Sequence, residues 1–408
     1  PIYDETDAAN AIALMKSVER YESFEPVAGC RVTFHNAGHV LGSSFIEIEL
    51  EDKGKKRKII FSGDLGEDDK PILNDPDLFS ETDFLVVEST YGNRNRDKQT
   101  KEGRLQQLAE VFKRAEQRGG KIIIPAFALE RTQDLLHDIL ILKKQNKISG
   151  IKVVVDSPLA TEITKVFLKY PECYDEDATE IKEKMGGLFD HPDFRFTNSV
   201  DESKALNHEK RIVIMSASGM CDAGRIKHHL KHNLWNPANT VLFVGYQAEG
   251  TLGRLLIEGA KKVRIHGEEI TTGAYIEQIT GYSGHADQSG LLKWLASVKE
   301  VRQQVFVVHG EPESADAFAV KLNEDLGFRA VAPRMGEVFE LLADQPAAAS
   351  AAPVAAKVKA AKAPETVAPA VDSYNLYAQL TLKLADFMRN SKDESIRREK
   401  LKKFLNEI

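Results

Sequence analysis

RVTFHNAGHVLGSSFIEIELEDKGKKRKIIFSGDLG, residues 31–66, is the stretch that decides the fold. It holds three short runs rich in β-branched and aromatic residues, which predict three strands. His39 follows a glycine after the first run, and Asp64 follows a glycine after the third. Histidine and carboxylate groups at strand ends are ligands that hydrolytic zinc sites use. Each residue alone has a simpler interpretation, a core histidine or a turn aspartate, and the pair in this setting favours a metal site.

Three further residues stand where α/β sheets commonly place chemistry, at strand ends and in adjoining loops. Residues 83–88 predict a buried strand that ends in Glu88, and residues 305–309 predict another that ends in His309. His285 stands in a glycine-containing loop before a predicted helix, 288–299. A structural alternative for His285 is a histidine at a helix start, with Asp287 as the cap. We treat all three as candidate site residues.

Composition bounds the class of protein. At 408 residues, with 42% hydrophobic and 29% charged residues, the chain can form two domains with sizeable cores. The net charge of −7 indicates that any phosphate-binding surface must be local. Three cysteines without paired spacing argue against a disulfide framework and for a cytoplasmic protein. No apolar run has the length of a membrane span.

Helices alternate with short apolar strands in the middle of the chain, which predicts βαβ units on a parallel sheet. The predicted helices are 104–118 and 132–145, and the predicted strands are 121–125, 153–156, 211–215 and 240–244. A further helix over residues 4–21 should pack its apolar face on a sheet. A final strand is expected near residues 338–342.

Two glycine-containing segments, 216–224 and 245–253, follow predicted strands, and each is followed by an arginine. Backbone N–H groups at a helix start together with an arginine bind phosphate well. The candidate phosphate contacts are Ser216, Ser218, Gly219, Arg225, Arg254 and Arg131. Each turn could also be only a tight connection. His228, His229 and His232, at helical spacing after Arg225, are expected on a solvated helix face.

The C-terminal region differs from the rest in composition. Residues 343–371 are an Ala/Pro/Lys-rich linker, expected to be disordered. Residues 372–408 predict two short amphipathic helices, which are not expected to be stable alone. We expect them to dock on the body of the protein, on a second copy in a homodimer or on a partner protein. Their basic residues are expected on a solvated helix face, with binding of RNA as the alternative.

The segments AGHVLGSS and SGDLG resemble the third and fourth metal motifs of the metallo-β-lactamase superfamily. Further strings occur in an order similar to that of its β-CASP branch: ESTYG (88–92), FALERTQ (127–133), DSPLA (156–160), SASGMCDAGR (216–225), GYQAEGTLGR (245–254), GYSGHAD (281–287) and VVHGE (307–311). The resemblance implies an α/β fold, an αββα sandwich over residues 1–94 and 272–342, with an inserted α/β β-CASP domain over 95–271.

The resemblance also implies a chemistry. His39 would serve one zinc ion, His309 a second, and Asp64 would bridge them, while Glu88 would hold His285 as the proton donor. The reaction would be hydrolysis of RNA, single-stranded by expectation. A non-catalytic RNA-binding scaffold and a DNA nuclease remain alternatives. The branch's His-x-His-x-Asp-His motif is not found in this sequence. The chain therefore resembles an N-terminally truncated member with an incomplete sandwich, and we expect it to be inactive alone.

Overall fold

The computed structural model describes residues 3–52, 54–96, 100–148 and 150–341. The chain divides into two compact units, residues 1–18 with 353–408, and residues 19–352. The predicted linker, 343–371, and tail, 372–408, lie outside the described residues, so their predicted disorder and docking stay predictions.

The first unit contributes one described helix, α1 (Glu5–Leu14). The carboxylate of Asp4 caps it by accepting hydrogen bonds from the N–H groups of Thr6 and Asp7. The helix is shorter than the predicted 4–21, because Met15 adopts an extended conformation. None of its residues is buried, and its predicted packing on a sheet stays a prediction.

The second unit holds the strands and the other helices. In chain order the strands are β1 (Phe24–Val27), β2 (Cys30–Asn36), β3 (Ser44–Asp52), β4 (Lys55–Phe61), β5 (Glu81–Glu88), β6 (Ile122–Pro125), β7 (Lys152–Val155), β8 (Phe194–Phe196), β9 (Ile212–Ser216), β10 (Thr240–Phe243), β11 (Lys262–Ile265), β12 (Glu268–Thr271), β13 (Tyr275–Gln278), β14 (Glu300–Val308) and β15 (Ala330–Val331). The helices are α2 (Lys101–Arg118), α3 (Arg131–Lys144), α4 (Pro158–Phe167), α5 (Glu176–Met185), α6 (Val200–Ala205), α7 (Ile226–Asn233), α8 (Leu252–Ile257), α9 (Gln288–Ala296) and α10 (Pro312–Asp325).

A seven-stranded sheet runs in the order β1-β2-β3-β4-β5-β14-β15. Strands β1 to β4 pair antiparallel, whereas β4, β5, β14 and β15 run parallel. Helices α9 and α10 cover one face, where Trp294 and Phe318 pack against Phe45, Ile60 and Leu85. A smaller apolar cluster lies on the other face. The C-terminal ends of the parallel strands β4, β5 and β14 therefore lie at one edge of the sheet, where the candidate site residues are found.

A second sheet, wholly parallel, runs in the order β13-β10-β6-β9-β7-β8. Its central strands are buried along their whole length, as parallel strands with helices on both faces require. The predicted βαβ pattern of the middle region is therefore confirmed. Together with the seven-stranded sheet it gives the mixed α/β fold that the sequence predicts.

Two boundaries differ from the sequence-based expectation. Tyr275–Gln278 pairs with β10 in the second sheet, so the chain leaves that sheet after residue 278 rather than at 271. Residues 338–341 form no strand, and the last described strand is Ala330–Val331. Phe339 and Leu341 instead pack their side chains on the apolar cluster around Phe306, which accounts for their hydrophobic pattern without strand pairing. Among the described residues, no helix has the length and apolar character needed to cross a membrane.

Candidate metal centre

Five predicted site residues come together at one edge of the seven-stranded sheet. Asp64 follows β4, Glu88 ends β5 and His309 follows β14, and these three strands are parallel neighbours. His39 lies in the loop between β2 and β3, and His285 lies in the loop before α9. The carboxyl ends of adjacent parallel strands meet at one edge, so residues far apart in sequence converge there.

Asp64 stands between two histidines. Its Oδ2 lies 3.8 Å from Nε2 of His39, and its Oδ1 lies 3.2 Å from Nε2 of His309. The two carboxylate oxygens thus face imidazole nitrogens that come from different parts of the sheet edge. The side chains of Asp64 and His309 are 39% and 57% exposed, so this edge is open to solvent and to a ligand.

His285 is paired with Glu88. Both oxygens of the buried Glu88 carboxylate lie 3.1 Å from Nδ1 of His285. The rings of His285 and His39 are 4.4 Å apart, and ligand atoms of His39, Asp64 and His285 all lie within 4.8 Å of one another. Geometry alone therefore allows His285 as a metal ligand as well as a proton donor.

His39 has the properties of a metal ligand. Its burial, together with the positive charges that His285, Lys70 and Arg131 can carry, lowers the pKa of His39 to about 2. The imidazole is therefore neutral at physiological pH, the form that binds metals. Gly38 before it has a φ of +64°, and a Cβ there would lie 2.8 Å from Pro76. Two imidazoles and a carboxylate in this arrangement fit a divalent metal such as zinc.

Lys70 and Glu130 are site neighbours that sequence analysis missed. Nζ of the buried Lys70 donates hydrogen bonds to the carbonyls of His39 and Gly38, the latter at 3.3 Å. Nζ also lies 3.7 Å from Glu130, whose other carboxylate oxygen accepts a hydrogen bond from Leu41 N–H at 3.1 Å. FALERTQ contains this glutamate, but nothing local in the sequence links it to a lysine sixty residues earlier.

Arg131, a predicted phosphate contact, is buried beside the same loops. Its guanidinium donates to Asp134 at 2.8 Å, and the residue is 6% exposed. A Cβ on Gly284 would lie 2.1 Å from the Arg131 guanidinium and 2.7 Å from the His39 ring, so only glycine fits there. The structure places Arg131 between the loops of His39 and His285, not on an open phosphate surface.

The two arginine-ended segments touch, although their strands are not neighbours. Strand β6 lies between β9 and β10. Gln247 donates from its side chain to the carbonyl of Gly219 at 3.0 Å, and Gly253 N–H donates to Met220 at 3.0 Å. Ser216 is buried and donates to the Asp156 carbonyl, whereas Ser218 is partly exposed. Contact of Ser216 with a phosphate would require that buried hydrogen bond to break.

Arg225 is turned toward Asp156, at 2.6 Å, rather than toward an open surface. His229 is also bonded to Asp156 and is 2% exposed, so the prediction that it belongs to a solvated helix face is wrong. Helix α7 packs on its neighbours through this face. Helical spacing alone does not predict whether a histidine faces solvent or a buried carboxylate. Its neighbour His228 is exposed and stacks on His266.

Arg254 occupies a more open position. It donates a hydrogen bond to Glu258, which caps the end of α8, at 2.6 Å, and its side chain is 37% exposed. It lines a cavity of about 430 Å³ together with Tyr91, Arg94 and Tyr246. Tyr91 lies 6.4 Å from His285, ring to ring, so the cavity adjoins the metal centre. A larger cleft, of about 1790 Å³, is not lined by any of the three site histidines.

Two family models match the chain. The Beta-Casp domain matches residues 132–256, which carry most of the second sheet. The Zn-dependent metallo-hydrolase RNA specificity domain matches residues 269–333, which contain His285 and His309.

Similar proteins have been described in bacteria and archaea. The chain is 32% identical to Ribonuclease TTHA0252 of Thermus thermophilus, over 77% of this chain and 70% of that protein. It is 30% identical to the RNase J-like protein of Methanocaldococcus jannaschii, over 83% and 77%. It is 29% identical to transcription termination factor FttA of Pyrococcus horikoshii, and spans only 53% of its length. Given these matches and the geometry above, the chain belongs to the β-CASP branch of the metallo-β-lactamase superfamily, a branch of metal-dependent nucleases.

Proposed function

We propose that this protein hydrolyses phosphodiester bonds of single-stranded RNA with the help of two zinc ions. The observation that carries the proposal is the position of Asp64, with one carboxylate oxygen facing His39 and the other facing His309. A carboxylate between two imidazoles is suited to bridge two metals. Bound zinc would supply an activated water and would polarise the phosphate. The names of the matched relatives, a ribonuclease and an RNase J-like protein, support RNA as the substrate.

His39, Asp64 and His309 would hold the metals, and this set is smaller than two zinc sites require. We expect the remaining ligands from residues beyond these three. His285 is the remaining nearby candidate among the residues that the structure describes. We assign it instead to proton transfer, because its Nδ1 is engaged by a buried carboxylate.

His285 would donate a proton to the leaving 3′ oxygen. Glu88 holds Nδ1 of the ring, which leaves Nε2 to face the reacting phosphate. Glu88 is itself fixed, because its carboxylate accepts hydrogen bonds from Leu65 N–H at 2.6 Å and Thr90 N–H at 3.3 Å. A carboxylate that holds Nδ1 orients the ring toward the leaving oxygen, as a general acid requires.

The RNA strand would pass through the cavity beside His285. Tyr246 offers an aromatic ring there, Arg94 lies 5.2 Å from the ring of Tyr91, and Arg254 is partly exposed. Aromatic rings and arginines together bind single-stranded nucleic acid with little dependence on sequence. The phosphate-binding role that the sequence suggests for Arg254 fits this location better than the same role for Arg225 or Ser216.

A ribonuclease assay tests the proposal. Residues 1–408 and the product of the complete gene should be incubated with labelled single-stranded RNA and DNA of one sequence, with zinc and with a chelator. We expect the complete protein to cleave RNA only with metal bound, and an Asp64→Ala variant to be inactive. Bound zinc without cleavage would favour the scaffold alternative, and equal cleavage of DNA would favour the DNA nuclease.

A further inference from the structure

Glu130 has an unusual backbone conformation for a buried side chain. Its φ and ψ are 70° and −61°, and Arg131 N–H donates across it to the carbonyl of Leu129 at 2.9 Å. These values define a γ-turn with positive φ, which is rarer and more strained than the inverse γ-turn. The side chain of Glu130 is completely buried. Strain of this kind persists only where the surroundings fix it, and it concentrates at functional sites.

The turn directs the Glu130 carboxylate out of the inserted domain and onto the loop that carries His39. Glu130 accepts from Leu41 N–H at 3.1 Å, two residues after His39. Lys70 lies 3.7 Å from the same carboxylate and donates to the carbonyls of Gly38 and His39. The backbone on both sides of His39 is thus held by two buried charged side chains.

Stability alone does not explain why Lys70 and Glu130 are buried together. Removing two charges from water is unfavourable, and a buried ion pair is often no more stabilising than apolar residues of the same volume. Burial lowers the pKa of Lys70, while the Glu130 charge acts in the opposite direction. The pair is therefore better explained by the position that it enforces on its neighbours.

We propose that Lys70 and Glu130 are positioning residues of the metal centre, through which the inserted domain fixes the loop that presents His39 to Asp64. The inference rests on the proposed assignment of His39 as a metal ligand. It predicts that metal affinity depends on a residue of the β-CASP domain that contacts no metal ligand side chain. Groups that orient a metal ligand typically change metal affinity roughly 10–100-fold when they are removed.

Zinc affinity of the complete protein, measured by competition with a chelator, tests this role. Lys70→Met keeps the length of the side chain and removes its three donors. Loss of positioning should weaken zinc binding about 10–100-fold. If Lys70 acted only through its charge, the same variant should bind zinc more tightly, because a cation near the metal has been removed. Tighter or unchanged binding would overturn the proposal.

Two more variants on the same pair complete the test. Glu130→Gln keeps the shape of the side chain and an acceptor for Leu41 but weakens the hold on Lys70, so we expect a smaller loss of zinc affinity. Lys70→Arg keeps donors for the carbonyls and should recover part of the loss. If Lys70→Met does not fold, the zinc affinity of Glu130→Gln tests the proposal in its place. An unchanged zinc affinity of Glu130→Gln then overturns the proposal.

Lys143→Met is a matched control. Lys143 is buried to the same extent as Lys70, and its Nζ donates to the Ile151 carbonyl and to Asp193, both at 2.7 Å. It should lower the unfolding temperature while leaving zinc affinity unchanged, and an equal loss of zinc affinity would mean general destabilisation.

His39→Ala separates this inference from the proposed function. If His39→Ala loses zinc and Lys70→Met does not, only the positioning role fails, and if His39→Ala keeps zinc, the ligand assignment fails.

Discussion

At the scale of single residues, Glu88 fixes the orientation of the His285 ring. The carboxylate is buried at the end of β5, and both of its oxygens lie within hydrogen-bond distance of Nδ1 of His285. This contact fixes the ring, so in the proposed mechanism Nε2 would be the nitrogen that exchanges a proton with the substrate. The same contact is also compatible with a histidine that binds metal through Nε2.

His285→Ala separates these two roles. As a general acid, His285 should contribute roughly 10²–10⁴-fold to turnover, and its loss should leave the zinc content unchanged. The measurements are kcat on single-stranded RNA and bound zinc per protein in the complete protein. A substrate with a better leaving group should recover part of the lost activity.

His208→Ala is the control, because His208 is exposed on the inserted domain. It should change neither quantity. Loss of zinc in His285→Ala would contradict the proton-donor assignment and would make His285 a ligand together with His39 and Asp64.

At the scale of secondary structure elements, Asp156 joins strand β7 of the second sheet to helices α6 and α7. It follows β7 and accepts hydrogen bonds from Ser203 of α6, His229 of α7 and Arg225 before α7. Burial raises the pKa of this carboxyl, but the hydrogen bonds from His229, Ser203, Thr197 and Arg225 outweigh it and hold the pKa well below its ordinary value. The ionised carboxylate therefore stabilises the packing of α6 and α7 on the sheet.

This network makes stability depend on acid pH. Because the folded-state pKa is depressed, the stabilisation is complete above the unfolded-state value of about 4 and is lost as the pH falls below it. Asp156→Asn should be less stable than the wild type at neutral pH and should show a smaller loss of stability below about pH 4. Denaturant unfolding from pH 7 to pH 3 measures both. If the wild type and Asp156→Asn lost stability equally at low pH, Asp156 would not be the cause of the pH dependence.

Arg225 and Arg254 end similar segments but should respond differently to substitution. Arg254→Ala should weaken RNA binding, with a salt dependence smaller by about one unit of slope at most. Arg225→Ala should instead lower the free energy of unfolding by roughly 1–3 kcal/mol, because buried Asp156 loses a partner. RNA titrations at several salt concentrations, together with unfolding, check both. The control is Arg264→Ala, an exposed arginine of β11. A loss of RNA affinity in Arg225→Ala alone would reverse these roles.

The elements also show what the sequence could and could not predict. Hydrophobic runs followed by His39, Asp64, Glu88 and His309 predicted the strands and the position of these residues near strand ends, because period and end residues are local signals. That the strands share one edge had no such local signal. The partners of Lys70, His229 and Glu130 could not be predicted, since their burial depends on packing between elements distant in the chain. Strand β13 was placed in the wrong sheet for the same reason, because strand order leaves no local signal.

At the scale of the whole molecule, the candidate metal centre lies at the edge of one sheet and is contacted by residues next to the other. His39 and Asp64 come from the seven-stranded sheet, whereas Glu130 and Arg131 reach the same loops from α3. The inserted domain therefore contributes Arg254 to the cavity beside His285 and, in our proposal, supports the loop of His39.

Ligand number gives a prediction for the chain as a whole. The three proposed ligands are fewer than two zinc sites require, so we expect residues 1–408 on their own to bind zinc weakly and not to cleave RNA. Metal analysis and a ribonuclease assay on residues 1–408 check this. Two tightly bound zinc ions and full activity in residues 1–408 would contradict it.

The most direct test of the central claim is the zinc stoichiometry of Asp64→Asn, measured by native mass spectrometry beside RNA cleavage by the same sample of the complete protein. An amide cannot bridge two cations as a carboxylate does. We predict two zinc ions in the wild type, at most one in Asp64→Asn, and loss of cleavage by roughly the factor expected for removal of a metal site, several powers of ten. Two zinc ions and wild-type cleavage in Asp64→Asn would contradict the account.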